Sequence, residues 1–125
     1  MIPLILVSCE PGVVLTVARS DHGSVDLRVA SDSADFRACI DNASIYLAGQ
    51  PGQPAWELGR ADPRDCAQQV TIGTAKPGFA QRSSSPLLAG RAYCAEVNGP
   101  GFSARRAFKI GRGAVAQDAG DPDRC

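Results

Sequence analysis

Histidine is nearly absent from this chain of 125 residues, His22 being the single one, and that scarcity removes much of the chemistry a small domain could carry. A zinc site would have to gather at least three cysteines from isolated positions, because the chain has neither a C-x-x-C pair nor a histidine cluster. Ser20, Asp21 and His22 are adjacent, which is the composition of a turn; neighbouring side chains point apart and cannot converge as nucleophile, base and orienting acid. A G-x-S-x-G elbow is also missing. Excess charge is lacking too: 13 basic residues balance 13 acidic ones, so no long-range attraction to nucleic acid or an anionic membrane surface is expected. Aromatic residues are few, and Trp56, Tyr46 and Tyr93 are thin equipment for stacking on sugars. Asp118, Asp121 and Asp123 lack the glycine and distal glutamate of a calcium-binding EF-hand loop, and Gly111-x-Gly113 has no phosphate-binding context. No cofactor, no metal and no catalysis are expected.

What the chain does have is punctuation. Thirteen glycines and nine prolines separate short apolar runs, which favours an all-β chain with many turns. The length suits one domain with a single core. Five cysteines are more than a reduced cytosolic domain of this size usually carries, so disulfides in an oxidising compartment are expected.

The segment with the strongest pattern runs from Leu87 to Ile110. Tyr93, Ala95 and Val97 fall on one face of a strand, Cys94 and Glu96 on the other, which predicts one buried face and one wet face. Asn98-Gly99-Pro100-Gly101 then turns the chain into a second alternating run, Phe102 to Ile110, and the pair reads as a hairpin. Upstream, Val13 to Ala18 and Val25 to Ala30 form another predicted hairpin about the Ser20-Asp21-His22-Gly23 turn. A strand within Ile40 to Ala48 ends at Gly49-Gln50-Pro51-Gly52-Gln53-Pro54. Trp56 and Leu58 suggest a short edge strand, Arg60 to Arg64 a turn, and Ala67 to Thr74 a fifth strand; Lys76 to Pro86 reads as a loop. The Gly/Ala/Asp-rich tail has no apolar period and would not order alone.

The spacing Leu87-x-Ala89-Gly90-Arg91-x-Tyr93 resembles the Leu-x-Pro-Gly-Thr-x-Tyr corner of fibronectin type III-like domains, with Ala89 and Arg91 in place of proline and threonine. The resemblance implies an immunoglobulin-like (fibronectin type III-like) antiparallel β-sandwich of about seven strands, in which the tyrosine hydroxyl returns to the backbone upstream and locks the loop. The family's tryptophan in the second strand is missing, with Val29 near its place. In that topology the second and fifth strands are antiparallel neighbours, which implies Cys39 with Cys66 and leaves Cys94 for Cys125; Cys39 with Cys94 is the alternative.

Leu6-Val7-Ser8-Cys9, after the apolar Met-Ile-Pro-Leu-Ile, resembles the lipobox of bacterial lipoproteins, whose cysteine is lipidated after the signal peptidase cuts before it. It departs from a full secretory signal in having no Lys or Arg ahead of it and an apolar stretch at the short edge. Residues 1–11 would then be a truncated signal, lipobox and tether, 12–111 the sandwich domain, and 112–125 the tail. The alternative makes the start a first strand with Cys9 buried or bridged. Glu10, where aspartate would retain an enteric lipoprotein in the inner membrane, leans to the outer membrane facing the periplasm.

The nearest thing to a surface patch is Arg105, Arg106, Lys109 and Arg112. Arg105 and Lys109 would face solvent, whereas Arg106 shares a face with Phe102, Ala104, Phe108 and Ile110 and sits awkwardly there. Protection of an edge strand competes with a surface for an acidic partner as the explanation. The expectation is an exported cell-envelope lipoprotein acting as a non-catalytic protein-interaction module, membrane-tethered through Cys9, with Arg105, Lys109, Arg112 and Trp56 as candidate binding residues and an envelope protein as partner. An inhibitor of a periplasmic or external hydrolase, or a secretion-system lipoprotein, is the alternative.

Overall fold

The computed structural model describes residues 12–19, 25–50, 52–60, 66–72, 78–84, 86–111, 116–118 and 125. Cys9 and the 1–11 segment, the turn containing His22, the 61–65 turn, and Arg112, Asp121 and Asp123 lie outside them.

Among the described residues nine strands follow one another: β1 (Val13–Arg19), β2 (Val25–Ser31), β3 (Asn42–Leu47), β4 (Pro54–Arg60), β5 (Gln69–Thr71), β6 (Phe79–Ser84), β7 (Ala92–Gly99), β8 (Phe102–Ile110) and β9 (Ala116–Asp118). They make two antiparallel sheets, ordered β1-β2-β5 and β6-β4-β3-β7-β8-β9, packed as a β-sandwich. Alternation decides which residues go between the sheets, since successive side chains on a strand point to opposite faces. Leu15, Val17, Val25, Leu27, Val29 and Val70 come from the three-stranded sheet; Ile45, Trp56, Leu58, Tyr93, Val97, Phe108 and Ile110 come from the other, and all lie in one buried cluster. Each fully buried aliphatic or aromatic side chain of this kind contributes roughly 1.5 to 3 kcal/mol.

Two predicted elements change their role. Trp56 and Leu58 do not lie on a short edge strand: β4 spans seven residues and is flanked by β3 and β6. The stretch read as a loop from Lys76 to Pro86 contains β6, which pairs with β4 from Trp56↔Ser84 to Arg60↔Phe79. Phe79 is its one large apolar residue, so no alternation betrays it; main-chain pairing makes it a strand. The pairing between β2 and β5 is shorter than the predicted fifth strand, although Val29 N–H to Gln68 C=O and Ile72 N–H to Val25 C=O, 2.9 and 2.8 Å, prolong it at each end.

The turn between β7 and β8 places Pro100 before Gly101, whose φ of +81° is a conformation that favours glycine. Gly99 is fixed for a different reason: a Cβ there would run into the Cys39 carbonyl. Nearby, the Cys39–Cys66 disulfide (Cα–Cα 4.8 Å), the Ile40 N–H to Ala67 C=O bond and the Asp41–Arg60 ion pair draw the connections at this end of the sandwich together. At the other end the Leu88 N–H donates to the Tyr93 hydroxyl at 2.7 Å, so the tyrosine does return to the upstream backbone. Gly90, with φ of +82°, makes the corner between them and donates its N–H to Ile110 C=O.

The second disulfide, Cys94–Cys125 (Cα–Cα 5.2 Å), also matches the expected pairing. Its surroundings do not match the expected wet face. Tyr46, Cys94 and Ala107 stand in register across β3, β7 and β8 on the outer side of the larger sheet, yet they are only 4 %, 0 % and 5 % exposed. Cys125 is bonded to this row through sulfur, and its carbonyl accepts the Gly49 N–H at 3.2 Å. The chain terminus therefore reaches a face that alternation alone would leave in water. A strand from the tail, β9, adds to β8 beside it.

Candidate functional site

A sandwich has two margins, where the edge strands of its two sheets come side by side, and here they differ. On one margin lie β5 and β6. β5 has only three residues. β6 is interrupted by a bulge, because Glu57 faces Ser83 and Leu58 faces Gln81, leaving Arg82 as the extra residue. The Arg82 guanidinium lies over Gly59, where a Cβ would meet it, and 3.7 Å from the Glu57 carboxylate. Gln81 accepts the Trp56 indole N–H at 3.1 Å, tying β6 to the core. Short length, a bulge and a charged side chain are the devices that discourage a foreign strand from pairing.

The other margin joins β1 to β8. A groove of about 470 Å³ opens between them, lined by Val13, Val14, Leu15, Ser103, Ala104, Arg105 and Arg106. Val14 is 52 % exposed, one of two large apolar side chains that stand so far out of the described surface. Across the groove the Arg106 Nε–H donates to the Leu15 carbonyl at 3.1 Å, which explains how a cation can share a strand face with Phe102 and Phe108. Its stem lies along apolar neighbours and its head reaches the margin.

Hydrogen-bond parity shows which backbone groups face this groove. Antiparallel partners exchange bonds at every second residue. On β1, the Gly12 carbonyl takes Asp32 N–H at 2.9 Å, so the even-numbered residues bond to β2 and the odd-numbered ones, including Val13 and Leu15, point the other way. On β8, the Ile110 carbonyl takes Gly90 N–H at 2.8 Å, so the even-numbered residues bond toward β7. Ser103 and Arg105 consequently turn their N–H and C=O groups away from β7. β9 pairs only with Phe108 to Ile110, and among the described residues no strand pairs with Ser103 or Arg105 on that side.

The groove itself is lined by cations and no anion, although the Asp32 carboxylate lies against Gly12 beside it. Arg105 and Lys109 are exposed on the outer face of β8 and have no ion-pair partner among the described residues. No carboxylate lines the groove, and the nearest acidic residue in register, Glu96, faces Arg105 from β7. β9 covers β8 only from Phe108 to Ile110, so shielding an outermost strand does not account for Lys109, whereas beside Arg105 no described strand lies outside β8 and edge protection competes with a binding role there.

Of the other predicted binding residues, Trp56 is corrected outright. It is 0 % exposed, inward on β4, and therefore has no face to offer a ligand. Arg112 lies outside the described residues. Val13, Val14, Ser103 and Ala104 were not singled out by sequence, though Arg106 on an apolar face was the one available signal of a margin. No group of three or more histidine, cysteine or acidic side chains comes together among the described residues in a way that could hold a metal. In comparisons with protein families, with curated proteins and with solved structures, nothing matches this chain.

Proposed function

We propose that this chain is an exported cell-envelope module that acts by binding protein and is held to a bacterial membrane through a lipidated Cys9. The observation that carries the reading is the pair of disulfides, Cys39–Cys66 and Cys94–Cys125. Such bridges persist in oxidising compartments and are rare where thiols are kept reduced. Both join distant segments, spanning 27 and 31 residues, and each stabilises the fold by about 2 to 4 kcal/mol through restriction of the unfolded chain. A chain that depends on them is suited to an extracytoplasmic address, most simply the outer membrane facing the periplasm.

The sandwich is read as immunoglobulin-like, of fibronectin type III-like kind, on the strength of the Leu87-x-Ala89-Gly90-Arg91-x-Tyr93 corner and its Leu88 N–H to Tyr93 hydroxyl bond. Domains of this plan bind through end loops or at a sheet edge, and the β1/β8 groove borders a stretch of β8 that no described strand pairs. The test is the intact mass of the protein recovered from bacterial membranes, expressed from its native gene with upstream codons included. A chain beginning at Cys9 and carrying acyl groups supports the reading. An unmodified chain with free thiols, recovered from the cytoplasm, would overturn it.

A further inference from the structure

We infer that the β1/β8 groove takes an extended segment of a partner protein in which acidic and apolar residues alternate, paired as an added strand on the Ser103–Arg105 edge of β8. The inference rests on the protein-binding reading above and gives its partner a chemistry. Backbone supplies the first half of the argument: Ser103 and Arg105 present outward N–H and C=O groups in the spacing a strand requires, and no described strand takes them. Side-chain direction supplies the second half. A residue set opposite Arg105 projects to the same outer face, close enough for a cross-strand contact with its guanidinium, and Lys109 continues that face toward β9. Residues on either side of it project inward, over the small, half-buried Ala104 and against Val13. One face therefore calls for carboxylates and the other for modest apolar groups, in strict alternation. Arg106, held on the Leu15 carbonyl, closes the groove at its far end.

The direct test titrates the full, oxidised, isotopically labelled chain with a blocked decapeptide of alternating valine and glutamate and follows backbone amide shifts. The expected result is a set of shifts centred on Val13 to Leu15 and Ser103 to Arg106, with binding that weakens several-fold near 1 M salt, where the screening length falls to about 3 Å. Arg105→Glu should weaken binding about fivefold, by turning an opposite-charge cross-strand pair into a like-charge one. Ser103→Pro should abolish it, because proline removes an outward donor while leaving the bonds to β7 in place. An unchanged amide spectrum elsewhere reports that either variant is folded. No shifts at millimolar peptide, equal binding of the valine–lysine counterpart, or full affinity in Arg105→Glu would overturn the inference. So would groove shifts that appear on concentrating the protein without peptide, which would make a second copy the occupant. The titration is independent of lipidation: its failure removes this occupant and leaves the envelope reading standing, whereas an unacylated cytoplasmic chain does the reverse.

Discussion

The two margins of the sandwich are built from similar parts to opposite effect. At the β5/β6 margin a strand end is kept short, a bulge carries Arg82 across Gly59, and Gln81 reaches inward to the Trp56 indole. At the β1/β8 margin a seven-residue strand lies beside a β8 that no described strand pairs at Ser103 to Arg105, and Arg106 bridges them from the inside. The first arrangement spends its polar groups on the protein itself. The second leaves the Ser103 and Arg105 backbone groups without a strand partner among the described residues and turns two cations to the outer face. Charge on a margin is thus not one kind of feature: Arg82 is folded onto its own sheet, whereas Arg105, opposite Glu96 on β7, and Lys109 form no ion pair among the described residues.

If that contrast is right, stability should be concentrated at one margin and binding at the other. Trp56→Ala should cost the most, about 3 to 5 kcal/mol, since a fully buried indole is lost from the core behind β6; the denaturant midpoint measures it. Gln81→Leu comes next, at about 1 to 3 kcal/mol, because the Trp56 N–H is left buried without an acceptor. A smaller loss would mean that β6 is held by its ladder alone, which would blur the comparison. Tyr93→Phe serves as a reference at the corner, outside both margins, with a loss of about 1 kcal/mol for the Leu88 bond. Arg105→Gln should change the midpoint by less than about 0.5 kcal/mol, since the exposed guanidinium makes no ion pair among the described residues; Gln is used because Glu would stand directly opposite Glu96. A large loss there would place Arg105 in the fold's own economy and break the distinction.

The legible parts of the molecule were those where a local pattern has a single physical reading. Leu27 and Val29 alternate with Asp26 and Arg28, and β2 buries the apolar set. The Leu87 to Tyr93 spacing carries a specific hydrogen bond, and it is made. The family-derived topology also led to both cysteine pairs. What stayed hidden depends on long-range pairing. β6 has no apolar period and becomes a strand through β4; Trp56 looked exposed only because β6 was not foreseen beside it. Cys94 alternates to the outer face as expected, but Cys125, 31 residues away, helps turn that face into a buried row with Tyr46 and Ala107. The candidate site was half visible: Arg105 and Lys109 could be named from alternation, whereas the groove needs β1 and β8 to meet, and no local spacing says that they do.

Residue-resolved amide hydrogen exchange on the free, oxidised chain tests the open margin most directly. The account predicts that along β8 the Ala104 and Arg106 amides, bonded toward β7, are protected, while Ser103 and Arg105 exchange at rates near those of exposed backbone. Equal, strong protection at all four positions in the absence of any partner would mean that the edge is already paired, and would contradict the existence of an open strand-accepting margin.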